Sequence, residues 1–482
     1  MILKSENFKI NNRSEIGDLR CLLIHSPDGG LGKVVPNKAQ DWLFEDIVHL
    51  DTIRGKEYDY YVKVLLYFLD PDKIKGKLDA ISSAAAQRSF FKPDNAGFHN
   101  SNKVIEFQTL LADILTDQQT KEKLVAAVCA MENGTYGLQK NLVDTDPVEL
   151  AKVFLSGFIG NQLIFAPVPN FIFSRDVGVA INNYILISKP AKRARLRETL
   201  LVRYIFFNHP LFSAYRDKLI EIPESMEQFL QTADESCEKT TLECGDVMVV
   251  SDNHVLIGCS ERTSTLGANA AIKLLFQNNV VEKVTIIKIP QKRNFMHLDT
   301  VFTQVKRNVW VLLKSLFDEE AVNPENPISH FGDLKPKDKP EIIQFTKGKT
   351  DIPRRFDNLE QLLDDISRND LHSTEATQFI YSGHNQFPYD SREQWTDSCN
   401  LLALKEGVVL AYDRNDKTVE AFEQHGFEII KVADLLKKLE SGELSTETIK
   451  DTLILMPSAE LSRARGGFHC MSMPIYRDAI TG

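Results

Sequence analysis

The sequence predicts an α/β fold in which five repeated units close into a ring, with a helical subdomain inserted after the first strand. From Pro167 onward, a polar start, an apolar strand, a turn, a second apolar strand and an amphipathic helix recur along the chain. Residues 41–156 instead carry apolar residues at helical spacing, as in YYVKVLLYFL and VIEFQTLLADIL. A ring suits small units of this kind, because none can bury its own apolar face and closure removes exposed strand edges.

The first strand is predicted within residues 20–26, RCLLIHS, and the turn-rich PDGGLG follows it. We therefore assign residues 1–40 to the N-terminal part of the ring, residues 41–156 to the inserted helical subdomain and residues 157–482 to the remaining units.

Four complete copies of the repeat and one partial copy are recognisable. The complete copies are SRDVGVAINNYILIS from Ser174, GDVMVVSDNHVLIGCS from Gly245, HLDTVFTQVKRNVWVLL from His297 and TDSCNLLALKEGVVLAYDR from Thr396. Helices are predicted at ARLRETLLVRYIFF, AAIKLLFQ and TVEAFEQHG, and further strands at KVTIIKI and EIIKV. The partial copy, HCMSMPIYR at the C-terminus, is predicted to be completed by the N-terminal strand, which gives five units.

One stretch departs from the repeat. Residues 318–373 are rich in proline and charge and predict a surface excursion with a short helix at LEQLLDDI. We assign this excursion no chemistry.

Composition narrows the function classes. The 482 residues are 43% hydrophobic and 26% charged, as in ordinary globular proteins. A formal net charge of -10 gives no basic field for nucleic acid or an anionic membrane, and it suits a cationic substrate better. No apolar run of signal-peptide or membrane-spanning length is present. We expect a cytoplasmic homo-oligomer that binds neither nucleic acid nor membrane.

The seven cysteines are an odd number, widely spaced, and form no CxxC pair. This pattern predicts neither a disulfide framework nor a zinc site, so we expect reduced thiols that are mostly buried.

Polar residues that are unusual in a buried sheet begin four of the five strand pairs. They are Arg175 and Asp176, Glu243 and Asp246, His297 and Asp299, and His469 and Cys470. A carboxylate entering a buried sheet is costly unless it meets a charge or several donors. Pseudosymmetry would bring these positions together on the ring axis, where carboxylates on opposite sides would suit a planar guanidinium. The alternative for each acid is a strand-start cap or a structural ion pair, such as Asp176 with Arg175.

A cysteine and a histidine stand among these residues. A thiol that attacks an electron-poor carbon must act as a thiolate, which a nearby imidazole or positive environment stabilises. Taken alone, Cys470 and His297 are better explained as a buried thiol and a capping histidine than as catalytic residues. The acids at equivalent repeat positions favour the catalytic interpretation.

Six segments carry a more specific resemblance. PNFIFSRD, LECGD, IGCSERTS, MHLDTVFT, LALKEGVVLAYDRN and RGGFHCMSMP resemble, in order and spacing, the motif series of arginine deiminases in the guanidine-modifying (pentein) superfamily. The match runs from EIGDLRCLLIHSP to the C-terminus. It implies a five-bladed pseudosymmetric α/β propeller, the pentein fold, with an inserted helical subdomain. It also implies hydrolysis of L-arginine by water to citrulline and ammonia, with no metal or other cofactor.

The resemblance assigns roles to individual residues. Cys470 would be the nucleophile that forms a covalent thiouronium intermediate, and His297 the general acid and base. Asp176 and Asp299 would hold the guanidinium, and Glu243 would lie beside it near His297.

Further positions would bind or enclose the rest of the substrate. The resemblance places three arginines at the substrate carboxylate or the gate and Asn170 at the amino-acid backbone; the arginines are Arg195, Arg262 and Arg465. The segment WLFEDI resembles a loop that closes over substrate. The additional candidates are Leu43, Asp46, Asp246 and His469. For Arg195, at the start of a charged helix, the alternative is an ordinary solvated arginine.

The sequence departs from the family pattern in three places. Cys244 stands where a glycine is usual, and its side chain would tighten the pocket or alter the backbone if that position needs a positive φ. The excursion between His297 and Cys470 is longer than usual, and Phe468 interrupts the glycine-rich closing segment. These departures bear on substrate preference and regulation rather than on reaction class.

Two alternative functions stay open. One is another superfamily activity, an amidinotransferase or a deiminase of agmatine or methylated arginine; an agmatine enzyme would not need Arg262 and Arg465 for a carboxylate. The other is a non-catalytic arginine-binding protein, which would need no nucleophile, so the complete set of Cys470, His297 and the acids argues against it.

Overall fold

The computed structural model describes residues 8–44, 46–82, 88–224, 239–316 and 340–480. Their strands are β1 (Leu19–Ile24), β2 (Val104–Glu106), β3 (Phe158–Ile159), β4 (Gln162–Leu163), β5 (Gly178–Ile181), β6 (Tyr184–Ile187), β7 (Leu219–Glu221), β8 (Val247–Ser251), β9 (His254–Cys259), β10 (Lys283–Lys288), β11 (Phe302–Lys306), β12 (Val309–Leu312), β13 (Glu341–Thr346), β14 (Arg354–Phe356), β15 (Gln378–Tyr381), β16 (Leu402–Lys405), β17 (Val408–Tyr412), β18 (Glu428–Lys431), β19 (Thr452–Met456) and β20 (Met473–Arg477).

The helices of these ranges are α1 (Leu50–Thr52), α2 (Asp59–Leu69), α3 (Leu78–Ser82), α4 (Phe107–Ile114), α5 (Gln118–Met131), α6 (Tyr136–Val143), α7 (Pro147–Ser156), α8 (Leu196–Asn208), α9 (Thr265–Gln277), α10 (Leu359–Asp365), α11 (Tyr389–Trp395), α12 (Asp416–Gln424) and α13 (Val432–Ser441). A π-helical turn, Ile53–Tyr58, joins α1 to α2. None of these helices is long and apolar enough to cross a membrane.

Five of the sheets share one plan and form the five blades. In each, two antiparallel strands are followed by a third strand parallel to the second: β5–β6 with β7, β8–β9 with β10, β11–β12 with β15, and β16–β17 with β19. The two chain ends build the fifth blade, where β20 pairs antiparallel with β1 and β1 pairs parallel with β2. The ring therefore closes through the partial repeat, as the sequence predicts.

The paired strands are buried over most of their length, which explains their continuous apolar runs. Every residue of β8 and β9 is buried, and the same holds for β17 and β19. Closure leaves the polar residues at the strand starts on the inside of the ring, where they must find partners.

The inserted segment differs from the prediction in one respect. Residues 41–156 contain α1 to α7, but they also supply β2, the third strand of the fifth blade. Its three residues, VIE, are followed directly by α4. Because the apolar residues of VIEFQTLLADIL have helical spacing throughout, the whole segment was predicted as helix.

The predicted excursion is only partly a loop. Residues 318–339 lie outside the described residues. Beyond them, β13 and β14 extend the second blade at the free edge of β10, and the predicted helix is present as α10. The neighbouring proline and charge masked the short pattern EIIQFT that forms β13.

Candidate active site

A small cavity lies where the polar strand starts meet. Its walls are Leu43, Asn170, Phe173, Asp176, Arg195, Arg262, Arg293, Met296, His297, Ala464, Arg465 and Cys470. The cavity volume is about 10 Å³, which is roughly the space of one water molecule. The site is therefore closed, and an amino-acid-sized ligand can enter only if part of the wall moves.

Cys470 is held at two atoms by Asn400. The Asn400 side-chain amide donates to Cys470 Sγ at 3.1 Å, and its oxygen accepts the Cys470 backbone N–H at 3.0 Å. Cys470 Sγ also lies 3.4 Å from Asp299 Oδ2. Burial, with the negative charges of Asp299 and Asp176, raises the pKa of the Cys470 thiol well above its ordinary value. With the cavity closed, the sulfur is a neutral thiol.

His297 is paired with acids. Its Nε2 lies 3.0 Å from Glu243 Oε2, and its Nδ1 lies 3.6 Å from Asp176 Oδ1. Burial alone would lower the pKa of His297, but the charge of Asp176 and the hydrogen bond with Glu243 raise it to about 9. The imidazole is therefore protonated at neutral pH and can donate a proton.

Glu243 is the acid that binds most of the local cations. Burial opposes its ionisation, but the hydrogen bond with His297 and the charges of Arg262 and Arg195 hold its pKa below the ordinary value. Arg262 Nη1 lies 3.7 Å from Glu243 Oε1, and Arg195 Nη1 lies 3.5 Å from Glu243 Oε2. Glu243 thus stays ionised and keeps His297 charged.

Arg195 is a buried ion-pair partner rather than a solvated side chain. It bonds Asp176 Oδ2 through Nη1 and Glu198 Oε2 through Nε at 2.9 Å, and it is 4% exposed. The pairing of Asp176 with Arg175 is wrong as well, because Arg175 Nη2 donates to both oxygens of Glu15 at 2.7 and 2.8 Å. Asp176 and Arg175 point to different partners although they are adjacent in sequence.

Five carboxylate oxygens of the described residues are buried without a hydrogen-bond partner, and two of them belong to the acids beside His297 and Cys470: Asp176 Oδ1 and Asp299 Oδ1. Buried acceptors are almost always satisfied, so each such oxygen needs an explanation. The other oxygen of Asp299 lies 2.8 Å from His469 Nδ1. Burial opposes ionisation of Asp299, but this hydrogen bond and the charges of His469, His297 and Arg175 together lower its pKa. Both acids can therefore accept N–H groups of a cationic ligand.

The roof of the cavity comes from two segments. Leu43 has a φ of 59°, and the Asn170 amide donates to the carbonyl of its neighbour Trp42 at 2.6 Å. Asp46 accepts from Arg463 Nη2 at 2.6 Å, which links the Leu43 segment to the Arg465 segment. Both lining segments are thus tied to each other at the surface.

Glu243 and Asp299 do not line the cavity and instead contact the lining residues His297 and Cys470. Three further residues predicted to bind substrate also lie outside the cavity. Asp46 is at the surface in the ion pair with Arg463. Asp246 accepts hydrogen bonds from Ser260 Oγ at 2.6 Å and from the backbone N–H of Leu298 at 2.9 Å. It therefore supports the turn between His297 and Asp299 from below. The third, His469, points away from the cavity.

His469 lies behind Asp299. Its Nδ1 is turned to that carboxylate, and its Nε2 lies 3.1 Å from Glu15 Oε2. It therefore orients Asp299 instead of touching the cavity.

Sequence reasoning missed several residues of the site. Asn400 lies at the start of the fourth strand pair, the only pair for which no polar candidate was predicted from the sequence. A search for a polar residue at the equivalent position of every repeat would have found it. Glu15 and Arg293 carry no such signal, because Glu15 precedes the first strand and Arg293 belongs to an irregular turn. Their roles depend on contacts between distant segments.

Cys244 and Gly245 have different requirements. Cys244 has no positive φ, is fully buried in the core beside the second blade, and does not line the cavity. A Cβ on Gly245 would lie 2.7 Å from His297 Nδ1 and 2.8 Å from Asp176 Oδ1. The position that needs glycine is therefore Gly245, where backbone and site come close together.

Asp176, Glu243 and His297 offer ligand atoms within 4.8 Å of one another, a spacing that a metal ion could use. Two observations disfavour a cation there. Arg195 already forms ion pairs with both carboxylates, and a histidine with a pKa of about 9 is protonated at both ring nitrogens and cannot bind a metal ion. The donor set suits a proton network better than a metal.

The propeller and its axial thiol, imidazole and carboxylates are those of the guanidine-modifying class of proteins. The family model described as arginine deiminase matches residues 92–477, and the chain belongs to this family. The arginine deiminase of Oenococcus oeni is 28% identical over 494 residues, covering 99% of this chain and 99% of that protein. That of Staphylococcus aureus is 29% identical over 487 residues, covering 98% of each. Among solved structures, the amidinotransferase SxtG from Microseira wollei has a TM-score of 0.47 and 15% identity, covering 98% of both chains.

Proposed function

We propose that the protein hydrolyses L-arginine to L-citrulline and ammonia, with Cys470 as the nucleophile. The observation that carries this proposal is the pair of buried, unbonded oxygens of Asp176 and Asp299 beside a buried thiol. Carboxylates in this arrangement accept the N–H groups of a guanidinium and fix its plane for attack.

Substrate binding also activates the thiol. The charges of Asp299 and Asp176 contribute to the high pKa of the Cys470 thiol. A guanidinium between these acids neutralises them, so the thiol pKa falls and a thiolate forms only with substrate bound. Until then the nucleophile is protected in its neutral form.

The reaction then runs in two halves. Cys470 Sγ adds to the guanidinium carbon, and the C–N bond breaks as His297 gives its proton to the leaving ammonia. This leaves a thiouronium on Cys470 and a neutral His297. A water gives a proton to His297 and attacks the same carbon. The C–S bond then breaks, the hydroxyl proton of the adduct passes to the departing sulfur, and neutral citrulline leaves. The neutral thiol and the protonated imidazole are restored, and the proton released when the thiolate formed is taken up by the ammonia.

Glu243 supports both halves by holding the charged form of His297. We assign the substrate's carboxylate end to Arg262 and Arg465 and its α-amino end to Asn170, all of which line the cavity. Arg195 serves as the counter-ion of Asp176 and Glu243. We also propose a reducing, cytoplasmic setting, which agrees with six free cysteines in the described part of the chain.

The deciding experiment measures citrulline and ammonia from the purified protein with arginine or agmatine and no added amine. We expect both products from arginine, and a Cys470→Ser variant that binds arginine without turnover. The matched control is Cys399→Ser, since Cys399 is equally buried and its sulfur lies 3.9 Å from Ser398 Oγ, outside the cavity. Citrulline from Cys470→Ser would exclude the mechanism. Preference for agmatine, a requirement for an acceptor amine, or binding without any turnover would each indicate one of the alternative functions.

A further inference from the structure

Trp395 holds the side chain of Arg465 in two ways. The Arg465 guanidinium lies 3.7 Å from the centre of the Trp395 ring, and Arg465 Nη1 donates to the Trp395 backbone carbonyl. Arg465 is 4% exposed and lines the cavity with Cys470, whereas Trp395 is 42% exposed. One face of the exposed Trp395 ring is therefore covered by the arginine.

The backbone next to Arg465 is held by the fourth blade. Arg465 has a φ of 63°, a region that non-glycine residues rarely adopt. The following residue, Gly466, donates its N–H to Asp397 and accepts from Tyr412 Oη at 2.7 Å. These contacts fix the backbone at Arg465, whereas the two contacts with Trp395 act on its side chain.

An arginine side chain has several rotatable bonds, and ordering it costs conformational entropy. The stacked Trp395 ring and its carbonyl acceptor order the Arg465 side chain before the substrate binds, so this entropy is not lost on binding. An arginine ordered in this way binds a planar carboxylate more tightly than one that must be ordered on binding.

We propose that Trp395 is a positioning residue that sets Arg465 for the carboxylate end of the substrate and so makes the site select guanidino compounds that carry a carboxylate. This inference rests on the proposed function, in which Arg465 binds that carboxylate. Trp395 contacts neither the substrate's guanidinium nor Cys470. Its replacement should therefore change substrate affinity and leave the chemical step unchanged.

The test compares Trp395→Ala, Trp395→Phe and a control, Tyr389→Ala, by steady-state kinetics. Tyr389 is an exposed aromatic residue at the other end of α11, 43% exposed. For Trp395→Ala we expect KM for arginine to rise roughly three- to thirtyfold, the range of a partly desolvated cation–π contact, with kcat nearly unchanged. Trp395→Phe keeps an aromatic face and should recover most of the affinity. Tyr389→Ala should match the wild type.

The selectivity readout is inhibition by agmatine, which has the guanidinium and lacks the carboxylate. Its inhibition constant should not change in Trp395→Ala, while KM for arginine rises. An equal loss for both compounds, a loss of kcat, or no effect on arginine overturns the proposal. Failure of the wild type to form citrulline is a separate result, which refutes the proposed function itself. Thermal unfolding of each variant identifies a change that comes only from misfolding.

Discussion

Asn400 contacts the reactive cysteine at both its sulfur and its backbone nitrogen, at 3.1 and 3.0 Å. The same amide donates to the backbone carbonyl of Asp299 at 3.0 Å. One side chain of the fourth blade thus joins the fifth-blade thiol to the third-blade acid, and it sets the distance between nucleophile and guanidinium site.

Replacing Asn400 should therefore lower kcat, because it displaces the Cys470 sulfur from its position relative to the guanidinium site. We expect Asn400→Ala to lower kcat by up to about 100-fold, because small misplacements of a nucleophile have effects of this size. The loss of its hydrogen bonds should also cost about 1–3 kcal/mol of the free energy of unfolding. Asn308→Ala is the matched control, since Asn308 is equally buried but bonds Glu375 and Ala376. Equal kcat values in the two variants would show that Asn400 has no positioning role.

The two residues after Glu243 should respond in opposite ways. Gly245→Ala would push a Cβ against His297 and Asp176, so we expect citrulline formation to be lost along with about 1–3 kcal/mol of stability. Cys244→Ala should lose only packing energy and keep its turnover, because that side chain lies in the apolar core. Full activity in Gly245→Ala would contradict the close approach seen in the structure.

His297 should make stability depend on pH. Its pKa rises from 6.5 to about 9 on folding, so its contribution is fully present below pH 6.5 and is lost as the pH rises through about 9. We expect the melting temperature to fall between about pH 6.5 and 8.5, and His297→Asn should reduce that slope. The control is His254→Gln, since burial lowers the pKa of His254 and its titration lies below this window. An unchanged slope in His297→Asn would show that His297 is not a charged partner of the acids.

Chelation should leave the enzyme active. Asp176 and Glu243 are already paired with Arg195, and His297 carries a proton, so the chemistry needs no metal at this cluster. We expect equal citrulline rates after dialysis with and without EDTA. A rate lost with EDTA and restored by added Zn²⁺ or Mn²⁺ would instead assign a metal to these three residues.

Most of the fold could be predicted from the repeat pattern. The same order of polar start, apolar strand, turn and second apolar strand in each copy predicted the five blades and the junction of the two chain ends, because each blade needs the same three-stranded plan. Short elements were less accessible. Strand β2 has three residues that continue a helical pattern, and β13 lies beside a stretch rich in proline and charge, so neither could be separated by periodicity.

The sequence by itself determined which kinds of residue carry the chemistry: a thiol, an imidazole and acids at equivalent positions of successive repeats. Only the tertiary structure decided their partners. Arg195 lines the cavity as predicted for a substrate contact, and its side chain is also paired with Asp176 and Glu243. Asp246 lies outside the cavity and accepts a hydrogen bond from the backbone N–H of Leu298. These assignments depend on distances of a few ångströms between blades, and on the requirement that each buried charge be balanced locally. No local pattern along the chain encodes either.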